Sequence, residues 1–152
     1  MKHIFFVLIV FAISISCSND KNEETDFVAK NELEITDYIE KKGLIAQRSD
    51  SGLYYVINEE GDGTRPTSNS NVKVAYKGYY TNGKVFDKSG EEGASFGLYE
   101  VIKGWTEGIT YFKEGGNGIL LVPAHLGYGD RDYRGIPGGS VLIFDVQLIS
   151  VN

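Results

Sequence analysis

The chain has 152 residues, of which 41% are hydrophobic, with a net charge of -6 and a pI near 4.9. That apolar content excludes a wholly disordered chain and suits one domain with an appendage, while the acidic balance argues against nucleic acid or an anionic lipid surface as partner. One cysteine, Cys17, rules out an intrachain disulfide, and His3 and His125 have no neighbours at metal-ligand spacing, so no metal or other cofactor is expected.

Met1–Ser16 reads as a targeting segment. Lys2 supplies the positive start, and Ile4 to Ile15 is nearly all apolar. As a helix that run covers only ~20 Å, short of the ~30 Å hydrocarbon core, so it suits a signal peptide and not a membrane span. Ser14-Ile15-Ser16-Cys17 resembles a bacterial lipoprotein cleavage site, with Ser14 where leucine is usual. Plain secretion with an incidental thiol and lipidation of Cys17 both fit. Acylation would also remove a free thiol from an oxidising compartment. Lipidation is the expectation, with the protein held by a lipid anchor in a bacterial cell envelope, on the periplasmic side or at the cell surface. Residues 17–26, with Asp20, Glu23, Glu24 and Asp26, read as a flexible acidic tether.

Residues 27–50 read as a helix and linker. From Phe27 to Lys42 the pattern is helical, with Val28, Ile35, Tyr38 and Ile39 on one stripe, Leu33 off it, and Gly43 as the stop. Such a helix packs on its own domain or pairs with a second copy, and the oligomeric state stays open. Residues 51–152 read as the folded domain, where Gly, Tyr and Phe abound as in β-rich structure. Leu53–Ile57 is strand-like. Val72, Val74 and Tyr76 alternate as in a half-buried strand. Asn82-Gly83 marks a hairpin, after which Val85-Phe86-Asp87 starts the next strand. Ser95–Tyr99 is a short strand. Lys103–Phe112 is helical, Ile119–Val122 is a strand, Ala124–Gly139 is a long loop of the kind that tends to carry function, and Val141–Val151 is the last strand. Phe144, Val146 and Leu148 share one face of it, with Asp145 on the other. The class is α+β: one antiparallel sheet of about five or six strands with a single short helix packed on it, plus the N-terminal helix.

The chain is organised around Glu100–Trp105. Gly104 permits close backbone approach, and Trp105 opens an apolar stripe with Ile109 and Phe112. An indole there is either the floor of an apolar pocket or the largest core residue. Tyr76, Phe86 and Phe144 are open to the same two readings, Asp87 could be a solvated turn residue, and Tyr128 a turn aromatic. His125 reads as structural.

Val74–Tyr79, Gly83–Asp87, Val101–Trp105, Glu107-Gly108, Leu126–Gly129, Ile136-Pro137 and Leu142–Val146 stand in the order seen in FK506-binding peptidyl-prolyl isomerases. The resemblance spans Leu53 to Val151. It implies a half-barrel antiparallel sheet wrapped round the short helix. It further implies apolar walls and floor from Tyr76, Phe86, Phe96, Val101, Ile102, Trp105 and Phe144, polar rim groups Asp87 and Tyr128, and Ile136 on the loop beside them. The Ile102 amide and the Tyr128 hydroxyl would hold substrate carbonyls. Three departures stand out. Lys88–Ala94 is short and lacks an arginine to partner Asp87, Ile136 is followed by Pro137-Gly138-Gly139, and Asp130–Arg134 is charged for a pocket rim. The implied activity is isomerisation of Xaa-Pro bonds in exported proteins, with proline-containing polypeptides as substrates and FK506-like inhibitors as ligands. The competing expectation is a non-catalytic chaperone or peptide-binding module of an envelope or motility assembly.

Overall fold

The computed structural model describes residues 23–152, so the expectations for the signal peptide, for Cys17 and for the first part of the tether lie outside the described residues. Helix α1 spans Glu23–Lys42, starting before the expected Phe27 and taking in the end of the expected tether. It stops at Gly43, whose φ of +62° only glycine adopts freely, with Gly43 N–H bonded to Glu40 C=O and Leu44 N–H to Ile39 C=O. Ile35 is fully buried, with Tyr38 and Ile39 half-buried beside it, against Tyr54, Leu121 and Ile143 of the sheet and Val141 just before β7. Val28 departs from the expected stripe and is 43% exposed. The packed face runs instead through Phe27, Asn31 and Ile35, and buried Asn31 is a polar residue that a search for apolar spacing passes over.

Seven strands follow, where five or six were expected: β1 Gln47–Arg48, β2 Tyr54–Glu59, β3 Asn71–Tyr79, β4 Val85–Lys88, β5 Ala94–Gly97, β6 Asn117–Val122 and β7 Leu142–Val151. The added β1 is too short to show a period. The order is β1-β2-β6-β7-β3-β4, with β5 beside β4 on the same edge of β3, and every pairing is antiparallel. Helix α2, Lys103–Gly108, is shorter than expected: a 3-10 turn, Ile109–Tyr111, completes it, and Phe112 is already extended.

The first part of β7, Leu142 to Phe144, is buried on both sides. Leu142, Phe144, Val146 and Leu148 face α2, while Ile143 faces α1. Trp105, Ile109 and Phe112 fill the concave side together with Leu53, Val72, Val74 and Leu120. Gly104 behaves as its position suggested: a Cβ there would lie 2.5 Å from Val122 Cγ1, so its absence lets α2 sit directly on β6.

Candidate active site

Trp105 stands in the first turn of α2 and is 4% exposed. Three rings meet it nearly at right angles: Tyr76 from β3 at 5.1 Å, Phe144 from β7 at 5.4 Å and Phe96 from β5 at 5.5 Å. Phe86 from β4 completes the set, 5.6 Å from Phe144 and perpendicular to it. Perpendicular packing places positive ring edges against negative faces, which fixes the rings' orientations as well as burying them. The cluster needs Gly78: a Cβ there would come within 2.7 Å of Phe86 and 2.9 Å of Phe144. Alternation along β3 and β7 turns Tyr76 and Phe144 inward, and the same alternation turns Asp145 outward, where it accepts from Tyr79 Oη at 2.9 Å.

Above these rings lies a cavity of about 650 Å³, a size suited to a short peptide segment. Every protein residue singled out for the pocket lines it: Tyr76, Phe86, Asp87, Phe96, Val101, Ile102, Trp105, Tyr128, Ile136 and Phe144. The structure adds Tyr80, Lys84, Val85, Glu100, Tyr133, Arg134 and Gly135. Tyr80 and Lys84 flank the Asn-Gly turn, and Arg134 belongs to the charged run already noted as unusual, so both signals were present in the sequence without a position attached.

The rim is polar. Tyr76 donates its hydroxyl to Asp87 Oδ2 at 2.8 Å, so a tyrosine partners this aspartate where an arginine is missing. Burial first, and then the bond to Asp87, push the Tyr76 phenol well above its ordinary pKa. Tyr128 is 39% exposed and stacks on Tyr133 at 5.0 Å, with the Arg134 guanidinium 5.3 Å from the Tyr133 ring. Burial of its phenol, with the Asp87 charge second, raises the pKa of Tyr128 too. Both therefore keep their protons at neutral pH. The Tyr128 hydroxyl has no hydrogen-bond partner among the described residues. The Ile102 amide, just before α2, likewise donates to no acceptor among them, although the Ile102 carbonyl accepts from Trp105 and Thr106. Two residues that line the cavity, Ile102 and Tyr128, thus carry donors without a partner among the described residues. His125, outside it, bonds the Ser51 carbonyl through Nε2 at 2.8 Å. Among the described residues no group of three or more His, Cys, Asp and Glu side chains is placed to hold a metal ion.

Residues 63–149 match the family model described as FKBP-type peptidyl-prolyl cis-trans isomerase. The chain is 40% identical over 147 residues to the isomerase FkpA of Escherichia coli K12, covering 93% of this chain and 53% of that protein. It is 45% identical over 114 residues to a probable isomerase of the same type from Haemophilus influenzae, covering 73% of this chain and 47% of that one. The crystal structure of E. coli FkpA superposes with a TM-score of 0.75 at 39% identity, covering 86% of this chain and 61% of the other. A Pseudomonas syringae peptidyl-prolyl isomerase superposes at 0.74 with 26% identity, over 84% of this chain and 95% of that one. The chain spans about half the length of the curated relatives it matches.

Proposed function

The chain belongs to the FKBP-type peptidyl-prolyl cis-trans isomerase family, and from that membership we propose that it accelerates rotation about Xaa-Pro bonds in proline-containing polypeptides. The observation that carries this reading is the ring-walled cavity over Trp105, lined also by Ile102 and Tyr128, whose donors have no partner among the described residues.

The bond before proline is a tertiary amide whose cis and trans forms lie close in energy. A barrier of about 18–20 kcal/mol separates them, because rotation breaks amide resonance. The half-rotated amide has lost its charge separation and is less polar than either planar form. Water favours the planar forms, and a cavity of aromatic rings favours the twisted one relative to water. No bond forms or breaks, so no nucleophile and no general base is needed. In this reading Trp105 underlies the prolyl ring, and Tyr76, Phe86, Phe96, Val101 and Phe144 wall it. The Ile102 N–H and the Tyr128 hydroxyl take the flanking carbonyls, Ile136 covers the chain from its loop, and Asp87 holds the Tyr76 hydroxyl. A hydrogen bond that tightens only on twisting contributes about 1–3 kcal/mol, roughly ten- to hundredfold in rate.

A coupled assay on an Xaa-Pro tetrapeptide tests this. The wild-type protein is expected to speed relaxation, and Phe86→Ala to lower kcat/KM by about tenfold or more. A wild-type rate equal to the protein-free control refutes it. An FK506-like macrolide is proposed to occupy the same cavity and compete. The alternative of a purely peptide-gripping module is not favoured, since the relatives are named as isomerases.

The proposal extends to location. Lys2, the apolar run and the small residues before Cys17 support a cleaved signal peptide, a lipid on Cys17 and a site of action on exported proteins in a cell envelope. Labelled palmitate should enter the protein and be absent from Cys17→Ala; an unlabelled wild type ends this part.

A further inference from the structure

We propose that Asn31 of α1 is a positioning residue for the mouth of the cavity, acting by tying both ends of the loop Ala124–Gly139 with one side chain. Asn31 is 1% exposed. Its Oδ1 accepts from the Ala124 N–H at 2.8 Å, and its Nδ2 donates to the Gly139 carbonyl at 2.9 Å. Asparagine is a poor helix residue, and here it interrupts an apolar face between Phe27 and Ile35. Its value at that position lies in pairing two buried backbone groups that an apolar side chain would leave unpaired.

The loop is otherwise bonded largely to itself. Gly129 N–H reaches Ala124 C=O at 2.8 Å, Gly139 N–H reaches Gly129 C=O at 2.9 Å, and Tyr133 and Ile136 exchange both backbone bonds at 2.9 Å. A unit closed in this way moves as a body about its base, and Asn31 sits at that base. Phe27 adds a steric stop: Gly139 has φ +73°, and a Cβ on it would collide with the Phe27 ring. The body carries Tyr128, Tyr133, Arg134 and Ile136 to the cavity. Across the mouth the same helix meets the β3–β4 hairpin, where Thr81 donates to Glu34 at 2.6 Å. Helix α1, on the convex side of the sheet, thereby reaches both loops that frame the opening.

The rate readout rests on the isomerase reading above; the structural readouts do not. The experiment compares wild type, Asn31→Ala, Asn31→Asp and a control, Leu148→Ala, which weakens the core at the other end of β7, in amide hydrogen exchange, tyrosine ring NMR and kcat/KM. Asn31→Ala is expected to speed exchange at Gly129, Tyr133, Ile136 and Gly139 by about tenfold over the β6 and β7 amides, and to shift the stacked Tyr128 and Tyr133 rings. It is also expected to lower kcat/KM by about tenfold. Asn31→Asp keeps the acceptor for Ala124 and loses the donor to Gly139, so its loosening is confined to the Gly139 end; this variant decides the matter if Asn31→Ala does not fold. Leu148→Ala should lose stability with kcat/KM and ring signals unchanged. Exchange that rises uniformly over the sheet, or loosening without loss of kcat/KM in an active protein, overturns the proposal. An inactive wild type with localised loosening overturns the isomerase reading and leaves Asn31 as a tie for the loop.

Discussion

Tyr128 offers the plainest test at the scale of one residue. Its hydroxyl is unpartnered among the described residues, so Tyr128→Phe removes a donor without stranding another group. Thermal midpoints should match wild type, while kcat/KM falls by about tenfold, in line with one hydrogen bond made in the twisted state. Tyr76 and Tyr128 also fix an expected pH profile. Both phenols are raised above the ordinary value of about 10, so each ionises at a higher pH than an exposed tyrosine does. The rate should therefore stay level up to about pH 10. A fall with a midpoint below that, in protein still folded, contradicts the assigned environment. Gly78→Ala tests the rings: its methyl would press on Phe86 and Phe144, costing roughly 1–3 kcal/mol of stability and lowering turnover with it.

Among the elements, α2 depends on its contact with β6. Gly104→Ala should push α2 away from Val122 and carry Trp105 with it, lowering Tm and kcat/KM together; an unchanged rate at reduced stability contradicts the placement of Trp105 as the base of the cavity. Helix α1 is tied to the sheet through Glu32, which accepts from Tyr54 Oη at 2.6 Å and from Arg48 Nε at 3.1 Å. Burial alone would raise the Glu32 carboxyl, but the bonds from Tyr54 and Arg48 outweigh it and hold it below the usual value. A depressed folded-state pKa gives stability that is present above the unfolded value, about 4.5, and lost as pH falls through the folded one. Glu32→Gln should thus cost under about 1 kcal/mol at pH 7, the group being partly exposed, and progressively less as the pH falls below about 4.5. The strands were legible because alternation survives wherever one face is buried. The end of α2 is hidden from the sequence because Ile109 and Phe112 keep helical spacing while the backbone tightens to 3-10 and then extends. Apolar spacing puts Val28 on the inner face of α1, but packing there is anchored by Asn31, and polar anchoring leaves no hydrophobic period. The ring cluster was readable from motifs in order. Tyr133 and Arg134 were not, because only the folded loop brings them over the opening.

For the molecule as a whole, one sheet with α2 in its hollow and α1 on its back places the cavity where β3, β4, β5 and β7 present their inward rings around Trp105. A catalyst and a peptide-gripping module would share this architecture, and they differ in what they do to an equilibrium. The deciding measurement is NMR exchange spectroscopy on an Xaa-Pro peptide at equilibrium with a small amount of the folded protein. The cis–trans exchange rate is expected to rise in proportion to the protein, with the cis and trans populations unchanged. An exchange rate that stays at the protein-free value, while stoichiometric protein shifts those populations, would contradict it.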